Sequence, residues 1–205
     1  MPPHAPSRAK RSDAIANRER LLAAAADAVR TSGEKVPMAD IAERAGVGVG
    51  TLYRHFPTRE RLFAGLVCRS LESVRERVRA AAGRPGPAIE AIDWFFDQTI
   101  AHRDELFLPL HGAPVVPDEQ IAALQRQIRT ELEAVLARGR GDGTIRPDVT
   151  ATDIIIAGAG LAQPLAQVAQ WDRTARRQAR ILLAGLRAAD DAWLPDGPVR
   201  SRRAS

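Results

Sequence analysis

The chain has 205 residues, a formal net charge of +5 and 45% hydrophobic residues, enough to bury one ordinary core or two small ones. Its single cysteine, Cys68, excludes an internal disulfide and has no partner at metal-ligand spacing, so we expect a reducing compartment, the cytoplasm, and no structural zinc site. The basic charge suits a polyanionic partner, but it is also common on plain solvated surfaces.

The two ends of the chain and its apolar segments predict neither secretion nor a membrane span. The N-terminal run MPPHAPSRAKR has no apolar core, and the uncharged stretch 154–171 is interrupted by Pro164 and three glutamines. Residues 1–12 contain three basic residues, no acidic residue and three prolines, so a disordered basic arm is expected there. A second disordered basic tail is expected over residues 195–205.

Two helices are predicted after the arm. Apolar residues recur at near-helical spacing over residues 13–30, and Ser32 and Gly33 supply a stop. Pro37 suits the start of a short second helix over residues 38–45, which Gly46 ends. The inward face of the second helix is predicted to hold Ile41, Ala42 and Ala45.

The run GVGVGTLYRHF, residues 46–56, predicts a tight turn followed by a third short helix. Gly46 can adopt the left-handed conformation at the turn, while Val47, Leu52 and Phe56 are expected to anchor the helix. The opposite face carries Val49, Gly50, Thr51, Tyr53, Arg54 and His55. Two short helices packed on a longer one form a helix-turn-helix, and this face suits the major groove of DNA, where it can bond phosphates or base edges.

An Ala-Gly-Val turn between amphipathic helices also occurs in purely structural bundles, so the spacing alone leaves both interpretations open. The neighbouring residues favour DNA. Basic side chains flank the unit on both sides and are expected to meet phosphates: Arg8, Lys10 and Arg11 in the arm, and Arg59 at the start of the next helix.

The rest of the chain also reads as helical. Thr58 can cap a long helix over residues 58–82, which a Gly-Pro-rich run ends. Further amphipathic segments are predicted over residues 88–111, 118–138, 150–169 and 172–190. Thr150 and Asp153 resemble a capping box at the start of the third of these. The fold class expected is all-α, with no strand and no internal repeat.

The run MADIAERAGVGVGTLYRHFPTRERLFAGL, residues 38–66, resembles the DNA-binding signature of TetR-family (tetracycline-repressor-like) transcriptional regulators. The similarity is specific over residues 13–67, about a quarter of the chain. It implies an N-terminal three-helix reading head at residues 13–57. The long helix would join this head to a helical effector-binding and dimerisation domain at residues 58–194.

The resemblance also implies roles for single residues. Thr51, Tyr53 and His55 match positions that contact the operator, and Arg59 matches a lysine that contacts the DNA backbone. Gly48 departs from the family pattern, which commonly has Ser or Thr at the N-cap of the recognition helix. Because replacing Ser by Gly at an N-cap costs only a few tenths of a kcal/mol, the helix is expected to survive.

Two apolar stripes near the C-terminus are the candidates for a dimer interface. Their members repeat at three- and four-residue spacing: Ile154, Gly158, Leu161 and Leu165, then Ala175, Ala179, Leu182 and Leu186. The sequence leaves an internal core and a four-helix interface with a second copy equally open, and the resemblance favours the homodimer. A dimer would present two reading helices to successive major grooves of a near-palindromic operator.

An aromatic patch at residues 94–111 suits either a hydrophobic core or the wall of an effector pocket. The candidate effector-binding residues are Trp94, Phe95, Phe107, His111 and Leu161, and a largely apolar small molecule is expected there. The spacing of His102, Asp104 and His111 matches no metal motif, so neither a metal nor a cofactor is expected.

The resemblance implies a repressor that a small-molecule effector releases from its operator. Three other functions compete with this one. No catalytic triad, phosphate-binding loop or dinucleotide motif appears, so an enzyme is not expected. A helical adaptor could use its C-terminal stripes to bind another protein and keep the helix-turn-helix as scaffold. A TetR-like activator is the third alternative, since repression follows only from the family.

Overall fold

The computed structural model of the protein describes residues 8–107 and 118–187, and every regular element in these stretches is a helix. The predicted all-α class is confirmed. The described helices are α1 (Arg8–Ser32), α2 (Met38–Arg44), α3 (Val49–His55), α4 (Arg59–Ala82), α5 (Ala88–Ala101), α6 (Glu119–Gly141), α7 (Ala151–Leu161) and α8 (Trp171–Leu186). A short 3-10 turn, Arg103–Glu105, follows α5.

The expectation of a disordered arm over residues 1–12 is wrong for residues 8–12, because α1 already begins at Arg8. The three prolines that exclude a helix all precede this residue, at positions 2, 3 and 6. Arg, Ala and Lys are good helix formers, so the basic run extends the helix. The expected tail at residues 195–205 lies outside the described residues.

The described chain divides into two compact units, residues 8–69 with Asp118, and residues 70–107 with 119–187. The boundary lies inside α4, not at residue 57 as expected. The first turns of α4 belong to the first unit because Leu62 and Leu66 are buried there. A side chain at Gly65 would meet Phe56 at 3.0 Å and Leu22 at 3.1 Å, so glycine allows α4 to approach α1 closely.

The first unit packs α1 on α2 and α2 on α3. The predicted inward face of α2 is confirmed, because Ile41, Ala42 and Ala45 are all buried. Leu52 and Phe56 are buried in the same unit, so they anchor α3 as expected. This leaves the remaining face of α3 to solvent.

In the second unit α5 packs against α6, α7 and α8, and the core lies among them. The ends of neighbouring helices are joined by side chains of α6 and the turn after it. Arg138 donates from Nη1 to the carbonyl of Ala82 at 2.9 Å, where α4 ends. The Asp142 carboxylate accepts the Ala88 amide at 2.9 Å, where α5 begins. Bonds from Thr144 and then Ala88 hold the pKa of Asp142 below its usual value.

The seventh helix is shorter than predicted: α7 ends at Leu161, although the apolar pattern continues to residue 169. Pro164 has no backbone N–H to continue the ladder, so the helix stops before it. The indole of Trp171 then donates to the carbonyl of Leu161 at 3.0 Å. At the other end of α7 the predicted capping box of Thr150 and Asp153 is confirmed.

Candidate nucleic-acid interface

The turn between α2 and α3 has the predicted geometry. Gly46 has φ of +66°, in the left-handed region where glycine is favoured. Its amide donates to Glu43 at 2.9 Å, and the amide of Val47 donates to Ala42 at 3.0 Å. These bonds satisfy carbonyls at the end of α2 and turn the chain into α3 within four residues.

The exposed face of α3 is the one that the sequence predicts. Tyr53 is 47% exposed and Val49 is 40% exposed. Gly50 and Arg54 are also exposed, whereas the side chain of Leu52 is fully buried. Two further side chains of the face, Thr51 and His55, are half-buried. The helix therefore presents a hydroxyl, a phenol, a guanidinium and an imidazole on a fixed support.

Two of these groups contact each other. Arg54 donates from Nη2 to Oγ1 of Thr51 at 2.9 Å and from Nε to the carbonyl of Gly50 at 3.3 Å. Because Thr51 accepts this bond, its own hydroxyl hydrogen can still be donated to a phosphate or base acceptor. The sequence placed both residues on the face without indicating that they pair.

At the start of α3 the cap is a backbone one. Gly48 is the N-cap residue, as predicted, and its carbonyl accepts the amides of Thr51 at 2.8 Å and Leu52 at 3.2 Å. No side chain caps this end. A side chain added at Gly48 or Gly50 would meet nothing within 4 Å, so the surface in front of α3 is open.

The start of α4 lies in the same unit and carries Thr58, Arg59 and Glu60. Thr58 accepts the amide of Arg61 at 3.2 Å, so the predicted cap is confirmed. A hydrogen bond from Thr58, with backbone and Arg59 charge effects, lowers the pKa of the exposed Glu60 carboxyl. Arg59 is half-buried and does not extend into solvent, because its guanidinium donates to two carbonyls of the loop after α1.

The remaining predicted DNA contacts, Arg8, Lys10 and Arg11, lie on the first turns of α1, and their side chains are outside the described part of the structure. A basic residue that the sequence did not single out is Arg44, at the end of α2. Its guanidinium bonds the Asp27 carboxylate at 3.2 Å and the Thr31 hydroxyl at 3.1 Å. Arg44 therefore braces α2 against α1, and its i,i+17 spacing from Asp27 gave no local signal.

Five of the eight predicted dimer-interface residues are instead buried within a single chain. They are Ile154, Gly158, Leu161, Ala175 and Ala179. The periodic stripe is the one that packs α7 and α8 into their own core, the internal alternative that the sequence left open. Leu186 is half-buried against this core, and only Leu165 and Leu182 remain exposed. Exposed apolar residues that the prediction missed are Ile156, 66% exposed, and Ile181, 53% exposed.

The aromatic patch is largely core. Phe95 and Phe96 are buried with ring centroids 5.9 Å apart, and Phe95 lies where a side chain at Gly158 would touch it, at 3.5 Å. Leu161 is buried in the same cluster. Trp94 is half-buried at its edge, with the Arg84 guanidinium 4.9 Å from its ring centroid.

The other predicted effector-site residues give less support to a formed pocket. Phe107 is half-buried and donates its amide to Ser70 at 2.7 Å. His111 lies outside the described residues. Within residues 8–107 and 118–187 no three metal-binding side chains come together, and no helix there is long and apolar enough to cross a membrane.

Comparison with known proteins identifies both parts of the chain. Residues 21–66 match the family model of bacterial regulatory proteins of the tetR family. Residues 91–188 match the model of the C-terminal domain of SbtR-like transcriptional regulators. The first match covers α2, the turn and α3, and the second covers most of the second unit.

Individual relatives agree. The chain is 28% identical over 137 residues to the HTH-type transcriptional repressor KstR of Mycolicibacterium smegmatis. The aligned stretch covers 64% of this chain and 67% of that protein. It is 38% identical over 68 residues to the nucleoid occlusion factor SlmA of Shewanella sp. (strain W3-18-1), which covers 33% of this chain and 34% of that protein.

A solved structure extends the likeness over nearly the whole chain. The crystal structure of a TetR transcriptional regulator from Streptomyces coelicolor is 30% identical, with a TM-score of 0.58, and the match covers 83% of this chain and 98% of that one. The chain belongs to the TetR family of bacterial transcriptional regulators.

Proposed function

We propose that the protein is a repressor that binds a near-palindromic operator as a homodimer and is released by a small, largely apolar effector. One observation carries this proposal: Tyr53 and Arg54 are exposed on α3, beside the half-buried Thr51, and the buried Leu52 and Phe56 fix this helix in place. Large exposed side chains on a rigid short helix are what major-groove recognition requires. The name of the relative KstR, a transcriptional repressor, supports repression over activation.

Within this proposal the contacts divide by chemistry. Tyr53 and Val49 offer a ring and methyl groups that can meet thymine methyls, and the Thr51 hydroxyl can donate to an acceptor on a base or a phosphate. Gly48 and Gly50 allow the backbone to approach the DNA closely. His55 lies at the end of α3 beside Phe56, with ring centroids 6.5 Å apart, and can contact a phosphate. The basic side chains Arg8, Lys10 and Arg11 at the start of α1 add sequence-independent attraction.

A homodimer is needed because one α3 reads only one half-site. We place the interface on the exposed apolar residues of α7 and α8, chiefly Ile156, Ile181 and Leu182. Because α7 and α8 pack together, these side chains can supply apolar surface to one shared interface. The same exposed residues would serve the alternative, a helical adaptor, so DNA binding must be tested directly.

The effector is proposed to bind inside the second unit beside Trp94, at the edge of the aromatic cluster. A binding event there would have to shift packed helices, and such coupling amounts to about 1 to 3 kcal/mol, roughly 5- to 150-fold in operator affinity. A change in operator affinity of this size is sufficient to switch a gene on or off. We place the protein in the cytoplasm.

The test is a gel-shift titration of the wild-type protein with the intergenic DNA next to its own gene and with a scrambled fragment. Replacing Tyr53 by Ala is expected to weaken specific binding tenfold or more, equal to about 1.4 kcal/mol or more, because a ring exposed on α3 is lost. The matched control is Gln125→Ala, an exposed polar residue on α6. Equal titrations for Tyr53→Ala and the control would refute the assigned face, and equal retention of both fragments by the wild type would refute the function.

A further inference from the structure

Arg59 occupies a position that the family resemblance assigns to a phosphate contact, but its side chain is used within the protein. Nη1 donates to the carbonyl of Glu34 at 2.9 Å, and Nη2 donates to the carbonyl of Val36 at 2.5 Å. The guanidinium also lies 5.9 Å from the centroid of the Phe63 ring, one turn further along α4. These contacts bridge 23 to 25 residues of sequence within the first unit.

The two carbonyls lie in the loop that leads into α2, so a bond to them affects the position of α2 and α3. Val36 is buried, and Pro37 after it is the N-cap residue of α2. A bond to Val36 therefore fixes the start of α2 relative to the start of α4. Because α2 packs on α3 and is joined to it by the short Gly46 turn, the position of α3 depends on this bond.

The geometry favours arginine over lysine. Its planar fork offers two terminal nitrogens that can reach two carbonyls at once, whereas the lysine ammonium is a single point charge on a flexible stem. A bidentate contact with a phosphate would require both terminal nitrogens to leave these carbonyls. The bond to Val36 is part-buried. If Arg59 broke it, the Val36 carbonyl would lose its hydrogen-bond donor at a site with little access to water, which is costly.

We infer that Arg59 is a positioning residue: it fastens the start of α4 to the loop between α1 and α2 and so sets the position of α3, without contacting DNA. The inference rests on the proposed operator binding. It assigns to this chain a role for Arg59 different from the one that the resemblance implies. In this role the property of Arg59 that matters for operator binding is the fork of its guanidinium, and not its positive charge.

The experiment compares Arg59→Lys, which keeps the charge, with Arg59→Ala, and uses Arg61→Ala as reference. Arg61 is two residues further along α4 with a side chain that is 61% exposed, so its removal shows the effect of deleting a charge there. Affinity for the operator and for scrambled DNA is measured at several salt concentrations. We expect both Arg59 variants to lose at least fivefold in operator affinity, with unchanged affinity for scrambled DNA and an unchanged salt slope.

A phosphate contact by Arg59, or a role in stability alone, predicts different results. If Arg59 neutralises a phosphate, Arg59→Lys will bind like the wild type. Arg59→Ala will then lose affinity for both DNAs, with a salt slope lower by about 0.9 for each subunit, or about 1.8 for the dimer. If Arg59 serves stability alone, its variants will unfold at lower temperature but bind the operator normally where they are folded. Either result overturns the inference.

A DNA-free measurement separates this inference from the proposed function. Hydrogen exchange of the α2 amides is expected to be faster in Arg59→Lys than in the wild type, and not faster in Arg61→Ala. If exchange is faster in Arg59→Lys but the wild type binds no operator, the inferred role of Arg59 in holding α2 stands and the proposed function is refuted. Unchanged exchange in Arg59→Lys would refute the bridge.

Discussion

The helices α3 and α8 both lie at the surface and both carry exposed apolar side chains, but they differ in what surrounds those side chains. On α3, Val49 and Tyr53 stand among a hydroxyl, an imidazole and a guanidinium. On α8, Ile181 and Leu182 follow a run of arginines, of which Arg180 bonds Asp93 of α5 at 2.6 Å. One surface suits a polar duplex, and the other suits a second apolar surface with a charged rim.

The comparison shows that a periodic apolar stripe marks the protein's own core in both helices. Leu52 on α3 and Ala175, Ala179 and Leu183 on α8 are all buried. The large apolar residues left exposed on α8, Ile181 and Leu182, lie beside these buried positions. The sequence alone leaves the stripe of α8 open between core and interface. Of its predicted members, Ala175 and Ala179 are buried, Leu186 is half-buried and Leu182 is exposed.

The strongest test of this rule removes a buried member of the stripe. Ile154 is fully buried, so Ile154→Ala is expected to lower the free energy of unfolding by about 2 to 5 kcal/mol through lost transfer energy and a cavity. Urea unfolding followed by circular dichroism would measure it. The loss should be the same at low and high protein concentration, because the contacts are within one chain.

The control for this experiment lies two residues away. Ile156 is 66% exposed, so Ile156→Ala should leave the unfolding of dilute protein nearly unchanged and weaken only concentration-dependent stability. If Ile154→Ala loses stability only at concentrations where dimers form, the stripe is an interface and not the core of one chain.

A second test addresses the exposed face of α8. In the proposed symmetric dimer, Ile181→Lys would bury an unpaired ammonium twice, near arginines that already repel it. The dissociation constant of the dimer is expected to rise at least about tenfold, or 1.4 kcal/mol. Sedimentation equilibrium would measure it.

Ile15→Lys makes the same chemical change at an isoleucine of α1 that is 65% exposed. The monomer-dimer equilibrium of this control should match that of the wild type. If Ile15→Lys and Ile181→Lys dissociate the dimer equally, or if neither does, the α8 surface is not the interface.

The first unit could be predicted closely because its structure depends on local signals. The left-handed Gly46, the Thr58 cap and the i,i+4 spacing of Leu52 and Phe56 act within a few residues of sequence. Contacts over longer separations gave no such signal. The bridge from Arg59 to Val36 and the brace from Arg44 to Asp27 both require the fold before they can be seen.

The second unit was harder to predict for the same physical reason. Helix existence followed from apolar periodicity, but the direction in which each stripe faces depends on helices distant in sequence. The ion pairs between α5 and α8 show this, since Asp93 and Arg180 are 87 residues apart. The end of α7 is an exception, because its signal is local. Pro164 predicts that the helix stops before it, although the apolar pattern continues to residue 169.

The smallest expected effect concerns two glycines that precede α3, Gly46 in the turn and Gly48 at the N-cap. Gly48 has φ of −67°, and a side chain there meets nothing within 4 Å, so Gly48→Ser fits without strain and can cap α3. A gain of a few tenths of a kcal/mol in unfolding free energy is expected. Gly46→Ser is the matched control, since φ of +66° disfavours any side chain and should cost about 1 kcal/mol or more. Thermal unfolding of the two variants would measure both changes. If Gly46→Ser proved the more stable of the two, the turn would not have the left-handed conformation on which the placement of α3 depends.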